Sequence, residues 1–136
     1  MSMDVAIRNR LAGQAGIYNL IGGQTTPRIF PETRAQESVL PCLVYSTNSE
    51  EALGALNGVK AWKADVEIVA VATTKAAALG LATAVIAGLD GYAGTNDSTT
   101  IMHALHLRSV TAYNAPLAGE TTGVFLHTVV FSVMYA

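Results

Sequence analysis

Charge is the scarcest commodity in this 136-residue chain. Asp, Glu, Lys and Arg make up 13% of it, against roughly 25% in ordinary soluble domains. A single domain of this length has much surface for its volume and should need more charge, not less. The shortage implies that part of the surface meets protein rather than water. Lipid is not the expected partner, because no apolar run approaches the ~18 residues of a membrane-spanning helix. Eight scattered basic residues, a net charge of −2 and a pI near 5.8 also argue against a grip on duplex DNA. Cysteine occurs once, at Cys42, which excludes an intrachain disulfide and suits a reducing cytosol. Asp4, Arg8 and Arg10 interrupt the first apolar segment, so it does not read as a signal peptide. Internal repeats and low-complexity tails are lacking too.

Proline is rare as well, and three of the four fall within residues 25–46, "TTPRIFPETRAQESVLPCLVYS". Pro27 and Pro31 bracket Arg28, Ile29 and Phe30, and Pro41 precedes Cys42-Leu43-Val44-Tyr45. Proline cannot donate a ladder hydrogen bond and stays at strand starts and edges. The segment therefore predicts a short extended piece, a polar excursion and then a strand.

What is present is periodic. Residues 4–14 predict a short helix with Val5, Ile7, Leu11 and Ala15 inward, followed by a short apolar piece, 17–21, stopped by Gly22 and Gly23. A strand over about 40–48 leads through a polar loop, 49–58, to a strand over 59–72. In that second strand Trp62, Ala64, Val66, Ile68 and Ala70 share one face, and Lys63, Asp65 and Glu67 share the other. Residues 74–89 predict an alanine-rich helix capped by Thr73 or Thr74, with Leu79, Ala82, Ile86 and Leu89 on its inner stripe. Its outer face carries almost no charge between Lys75 and Asp90, as if a neighbouring chain covered it. After a turn-rich loop come two long strands, about 101–113 and 122–135. The last is apolar on both faces: Val124, Leu126, Val130 and Met134 alternate with Phe125, Val129, Phe131 and Tyr135. A strand of that kind is expected to be covered on both sides. The whole chain, 1–136, reads as one α+β domain in the order α-β-β-α-β-β. Its sheet is expected to be mainly antiparallel, four-stranded and packed with helices.

No chemistry stands out from this frame. His103 and His106 point to opposite faces of one strand and cannot grip one ion, and only Cys42 and His127 add to the pool that a zinc site draws on. A nucleophilic thiol must be exposed beside a base, whereas Cys42 reads as a small core residue. Gly22-Gly23 and the glycines from 88 to 94 lack phosphate-loop spacing. Asp65 and Glu67 form a same-face carboxylate pair, but an exposed strand face explains them more simply than acid–base catalysis does. No catalytic, cofactor or metal site is expected, and the chain does not read as an enzyme.

Taken in order, the pieces resemble a known family. They are "IYNLIGG", "PRIFP", the proline-led "LPCLVYS", the loop "SEEALGALNG" and the acid-bearing strand "VEIVAVA". The alanine-rich "ATAVIAGLDG", the arginine-bearing "HLRSVTAYNA" and a long final strand follow. Over nearly the whole chain this is similar to the tail-completion or tail-terminator (tail-to-head joining) proteins of long-tailed bacteriophages. The resemblance implies a structural virion protein at the tail–head junction, made in the bacterial host cytoplasm. Its copies would form a ring, typically hexameric, that caps the tail tube. The implied partners are further copies of itself, the tail-tube protein and a head-completion or connector protein, with DNA passing through without specific binding. On this reading Lys63, Asp65 and Glu67 face the lumen or the next subunit, and Arg28, Phe30 and Arg34 belong to a subunit-contacting arm. Two alternatives stand beside it. One is another head–tail connector or a tail-tube subunit, which would polymerise without limit. The other is a ferredoxin-like small-molecule-binding module, which would need a pocket with convergent polar groups.

Overall fold

The computed structural model describes residues 3–25, 27–31, 40–56, 59–96, 99–116 and 123–136, with side chains for all of these except 53–56, 59, 60 and 96. Among the described residues three helices, α1 (Met3–Ala12), α2 (Ala15–Tyr18) and α3 (Lys75–Leu89), accompany six strands. The strands are β1 (Ile29–Pro31), β2 (Cys42–Leu56), β3 (Val59–Ala72), β4 (Gly94–Asn96), β5 (Thr99–Asn114) and β6 (Val124–Tyr135). They form one sheet in the order β1-β2-β3-β6-β5-β4. The expected four-stranded antiparallel sheet is thus a six-stranded one. Its four long strands are antiparallel neighbours, but β1 adds a parallel strand beside β2 and β4 a short strand beside the start of β5. The simple α-β-β-α-β-β order fails for the same reason: three-residue strands carry too little periodicity to be read from sequence.

The expected loop after the first strand is largely strand. β2 continues to Leu56 against β3, with register shifts between Asn48 and Glu51 and between Leu53 and Leu56. At the first shift Ser49 has φ 53°. A bulge leaves one residue unpaired and lets the ladder resume, and so a polar, irregular stretch can still be sheet.

One face of the sheet carries the main core. Leu43, Tyr45, Ala64, Val66, Ile68, Ala70, Val129, Phe131, Val133, Ile101 and Ala104 pack there against the helices. Fully burying an aliphatic or aromatic side chain contributes about 1.5–3 kcal/mol, so this layer dominates stability. Helix α3 starts where expected, Thr74 Oγ1 accepting a hydrogen bond from the Ala77 amide at 3.1 Å. Its phase differs from expectation. Ala78, Leu81, Ala82, Val85 and Leu89 are buried, while Leu79 is 49% exposed. In α1 the buried stripe is Met3, Ala6, Ile7 and Leu11, with Val5 and Ala15 outside. Arg10 ties the helices together: its Nε donates to the Gly88 carbonyl at 2.9 Å, and its guanidinium lies 4.3 Å from the centroid of the Tyr92 ring. A cation suits the carbonyl end of α3.

The opposite face has a smaller core at one end. Cys42, Val71 and Val124 are buried there, with Phe30, Leu40, Val44, Val69 and Leu126 packed against them. Part of the last strand's second apolar face is therefore covered by this chain's own β1 and by the residues beside Pro41, whose peptide bond with Leu40 is cis.

Candidate functional site

Away from that second cluster no described helix or strand covers the face opposite the helices, and β3 sets its chemistry. Strict alternation sends Ala64, Val66 and Ile68 into the core, so Lys63, Asp65 and Glu67 leave it together. Register places Glu51, Lys63, Met134 and His103 in one row across the sheet, then Asn48, Asp65, Ser132 and Leu105, then Ser46, Glu67, Val130 and Arg108. Lys63 is exposed and the two carboxylates are half-buried. The candidate residues of β3 thus share one charged, largely unroofed patch.

The other predicted group divides. Arg28 and Phe30 turn back onto their own sheet. Arg28 Nε donates to the Pro41 carbonyl at 2.9 Å, and its backbone N–H bonds the Ile21 carbonyl at 2.7 Å. Its own carbonyl accepts from the Leu43 amide at 2.9 Å. Phe30 is half-buried against the Cys42 cluster. Arg34 lies outside the described residues.

Cys42 is fully buried. His103 stands opposite Met134 and His106 opposite Phe131, on different faces as expected. His106 meets the Phe131 ring at a centroid distance of 5.6 Å, and His127 Nδ1 is 2.8 Å from Thr111 Oγ1. The Tyr135 hydroxyl donates to Glu50 Oε1, and Thr47 Oγ1 bonds the Asp4 carboxylate. Burial, then the Glu50 hydrogen bond and charge, then Asp4, push the Tyr135 phenol well above its ordinary value. Among the described residues no group of His, Cys, Asp or Glu could hold a metal ion, and no helix is long and apolar enough to cross a membrane.

A feature not singled out from sequence is the far half of β5. Its outer edge is occupied by β4 at residues 99–101. Beyond that, Ala104 exchanges backbone hydrogen bonds with residues 91 and 92, and Asp90 Oδ1 accepts from the His106 amide at 3.0 Å. From Leu107 to Asn114 no described residue pairs along that edge, and Leu107, Val110 and Tyr113 are about half exposed. Sequence offered one signal: apolar alternation breaks down across "LRSVTAYN".

The described residues thus form a helix-backed sheet with a charged, largely unroofed patch on its other face and an edge of β5 that no described residue pairs. The relationship is specific. The chain belongs to the family of the tail completion protein gp17, whose sequence model matches residues 5–135. That family places it among the structural proteins of phage-type virion tails. Among solved structures it is similar to a chain from the "Virion of native gene transfer agent (GTA) particle". The two share 14% sequence identity and a TM-score of 0.68, over 98% of this chain and 94% of that one, a likeness of fold. No curated protein matches it in sequence.

Proposed function

We propose that the protein is a ring-forming tail-completion subunit that caps the tail tube and joins it to the head, leaving a channel for DNA. The observation that carries this reading is the family match across residues 5–135. The open face supports it physically. Asp65 and Glu67 repel phosphate, so a channel wall built from them lets duplex pass without holding it. The sparse charge on the outer face of α3, where Leu79 is exposed, suits contact with neighbouring protein. The implied partners are copies of the same chain, the tail-tube protein and a head-side connector. The reading is tested by mixing purified protein with headless tail tubes and imaging the tube ends. A single closed ring at one end is expected. Unlimited growth on the tube would make it a tube subunit instead.

A further inference from the structure

Four long antiparallel strands and the helices packed on them hold most of this molecule together, and β1 stands apart from them. It is three residues long, parallel to β2, and first in the order of the sheet. Two glycines in the left-handed region, Gly22 at φ 111° and Gly23 at φ 95°, turn the chain toward it. A Cβ on Gly23 would meet nothing within 4 Å, so that turn stands clear of other atoms. Pro27 and Pro31 bound the segment and donate no hydrogen bond.

Few groups hold residues 27–31 in place. Arg28 is tied to the carbonyls of Pro41 and Ile21, and its own carbonyl receives the Leu43 amide. Ile29, 5% exposed, reaches the main core on the helix side. Phe30, pointing the opposite way, packs over the Cys42 cluster. That cluster differs in kind from the rest of its face. Cys42, Val71 and Val124, with Val44, Val69 and Leu126 beside them, are apolar, whereas the same face carries Lys63, Asp65 and Glu67 further along β3. Uncovered, such a group is an apolar patch of the sort that marks a contact surface.

We propose that residues 27–31 are a strap that lifts as a unit about Gly22 and Gly23 while the four long strands stay folded, and that lifting bares this apolar patch. Local openings of a protein span the whole range from almost no cost up to global unfolding, according to what each one gives up. Lifting the strap gives up one core anchor, one roofing ring and a three-residue ladder, whereas global unfolding gives up the entire main core. The strap belongs to the single chain and holds whether or not copies close a ring.

Cys42 is the chain's one cysteine and is fully buried in the cluster that Phe30 roofs, so its thiol reports the opening. Its reaction with DTNB is followed in rising urea and compared with global unfolding read by circular dichroism. Without urea the opening constant should exceed the global unfolding constant by about a hundredfold or more, with a much shallower urea slope, because little surface is exposed. Ile29→Ala separates a strap from a swing of the Phe30 ring alone. Ile29 lies on the face away from Cys42, yet its truncation should speed labelling by about tenfold or more. Ile68→Val, in the main core, should raise the global unfolding constant by about threefold and leave labelling at low urea unchanged. Labelling that tracks global unfolding at every urea concentration overturns the strap. So does a folded Ile29→Ala protein that labels at the wild-type rate.

Discussion

Reversing the charge of Asp65 and Glu67 together tests where the open face looks. Each acid-to-lysine change shifts the formal charge by two, so Asp65→Lys/Glu67→Lys carries the chain from −2 to +2. The cost to folding follows from geometry. Alternate residues of a strand lie about 7 Å apart, where two unit charges in water interact by about 0.6 kcal/mol before screening. Turning the Asp65–Lys63 attraction into repulsion, screened over a Debye length of about 8 Å, costs about 1 kcal/mol or less. That is small against a domain stability of about 5–15 kcal/mol, and the variant should fold. On DNA the effect is large. Two lysines each meeting one phosphate give a log–log salt slope of about −1.8 per copy, a roughly tenfold loss of affinity from 50 to 200 mM salt. Fluorescence anisotropy with labelled duplex across that range reads it, with wild-type protein as the non-binding reference. A folded double variant with no salt-dependent affinity refutes the inward-facing assignment. One that binds DNA but no longer assembles on tubes moves the face into the subunit interface.

Phe131 is fully buried at the centre of the sheet, between Val66 and His106 in register. Phe131→Ala should cost about 3–5 kcal/mol, seen as a fall in thermal midpoint of about 10 °C or more; a fall of a degree or two contradicts the packing. The raised phenol of Tyr135 makes a pH prediction. The unfolded chain ionises this group from about pH 10 while the folded one keeps it neutral, so its contribution is intact below that pH and is lost as pH rises above it. Urea melts from pH 9 to 11 should show the decline in wild type and a shallower one in Tyr135→Phe. Cys42→Ala removes a buried sulfur beside Val71 and Val124 and should cost on the order of 1 kcal/mol while leaving tube assembly unchanged. Loss of assembly by a well-folded Cys42→Ala protein would return attention to the thiol.

The strand β3 was legible in full, Val59–Ala72, because its period-two pattern puts small or branched apolar residues on one face and charges on the other. Helix α3 was legible in extent, through its alanines and the Thr74 cap, but not in phase. Apolar side chains surround it, so Leu79 and Leu81 are equally good core candidates by sequence, and packing against the sheet chose Leu81. The run from 49 to 56 looked like a loop because a bulge at Ser49 breaks the alternation that marks a strand. The triplets β1 and β4 were illegible as partners, since strand pairing depends on what lies alongside. The same limit hid the β5 edge: a sequence lists residues, and an unpaired edge is a relation between strands. Phe30 shows the converse. Its prolines announced an extended piece correctly, yet nothing in them said that the side chain would roof the Cys42 cluster.

The central claim is that this chain closes one ring at the end of a tail tube, and electron microscopy of headless tail tubes incubated with purified protein tests it most directly. Each tube should gain a single ring at one end and grow no further at any protein concentration. Tubes left bare, or extended by stacked copies of the protein, would contradict it.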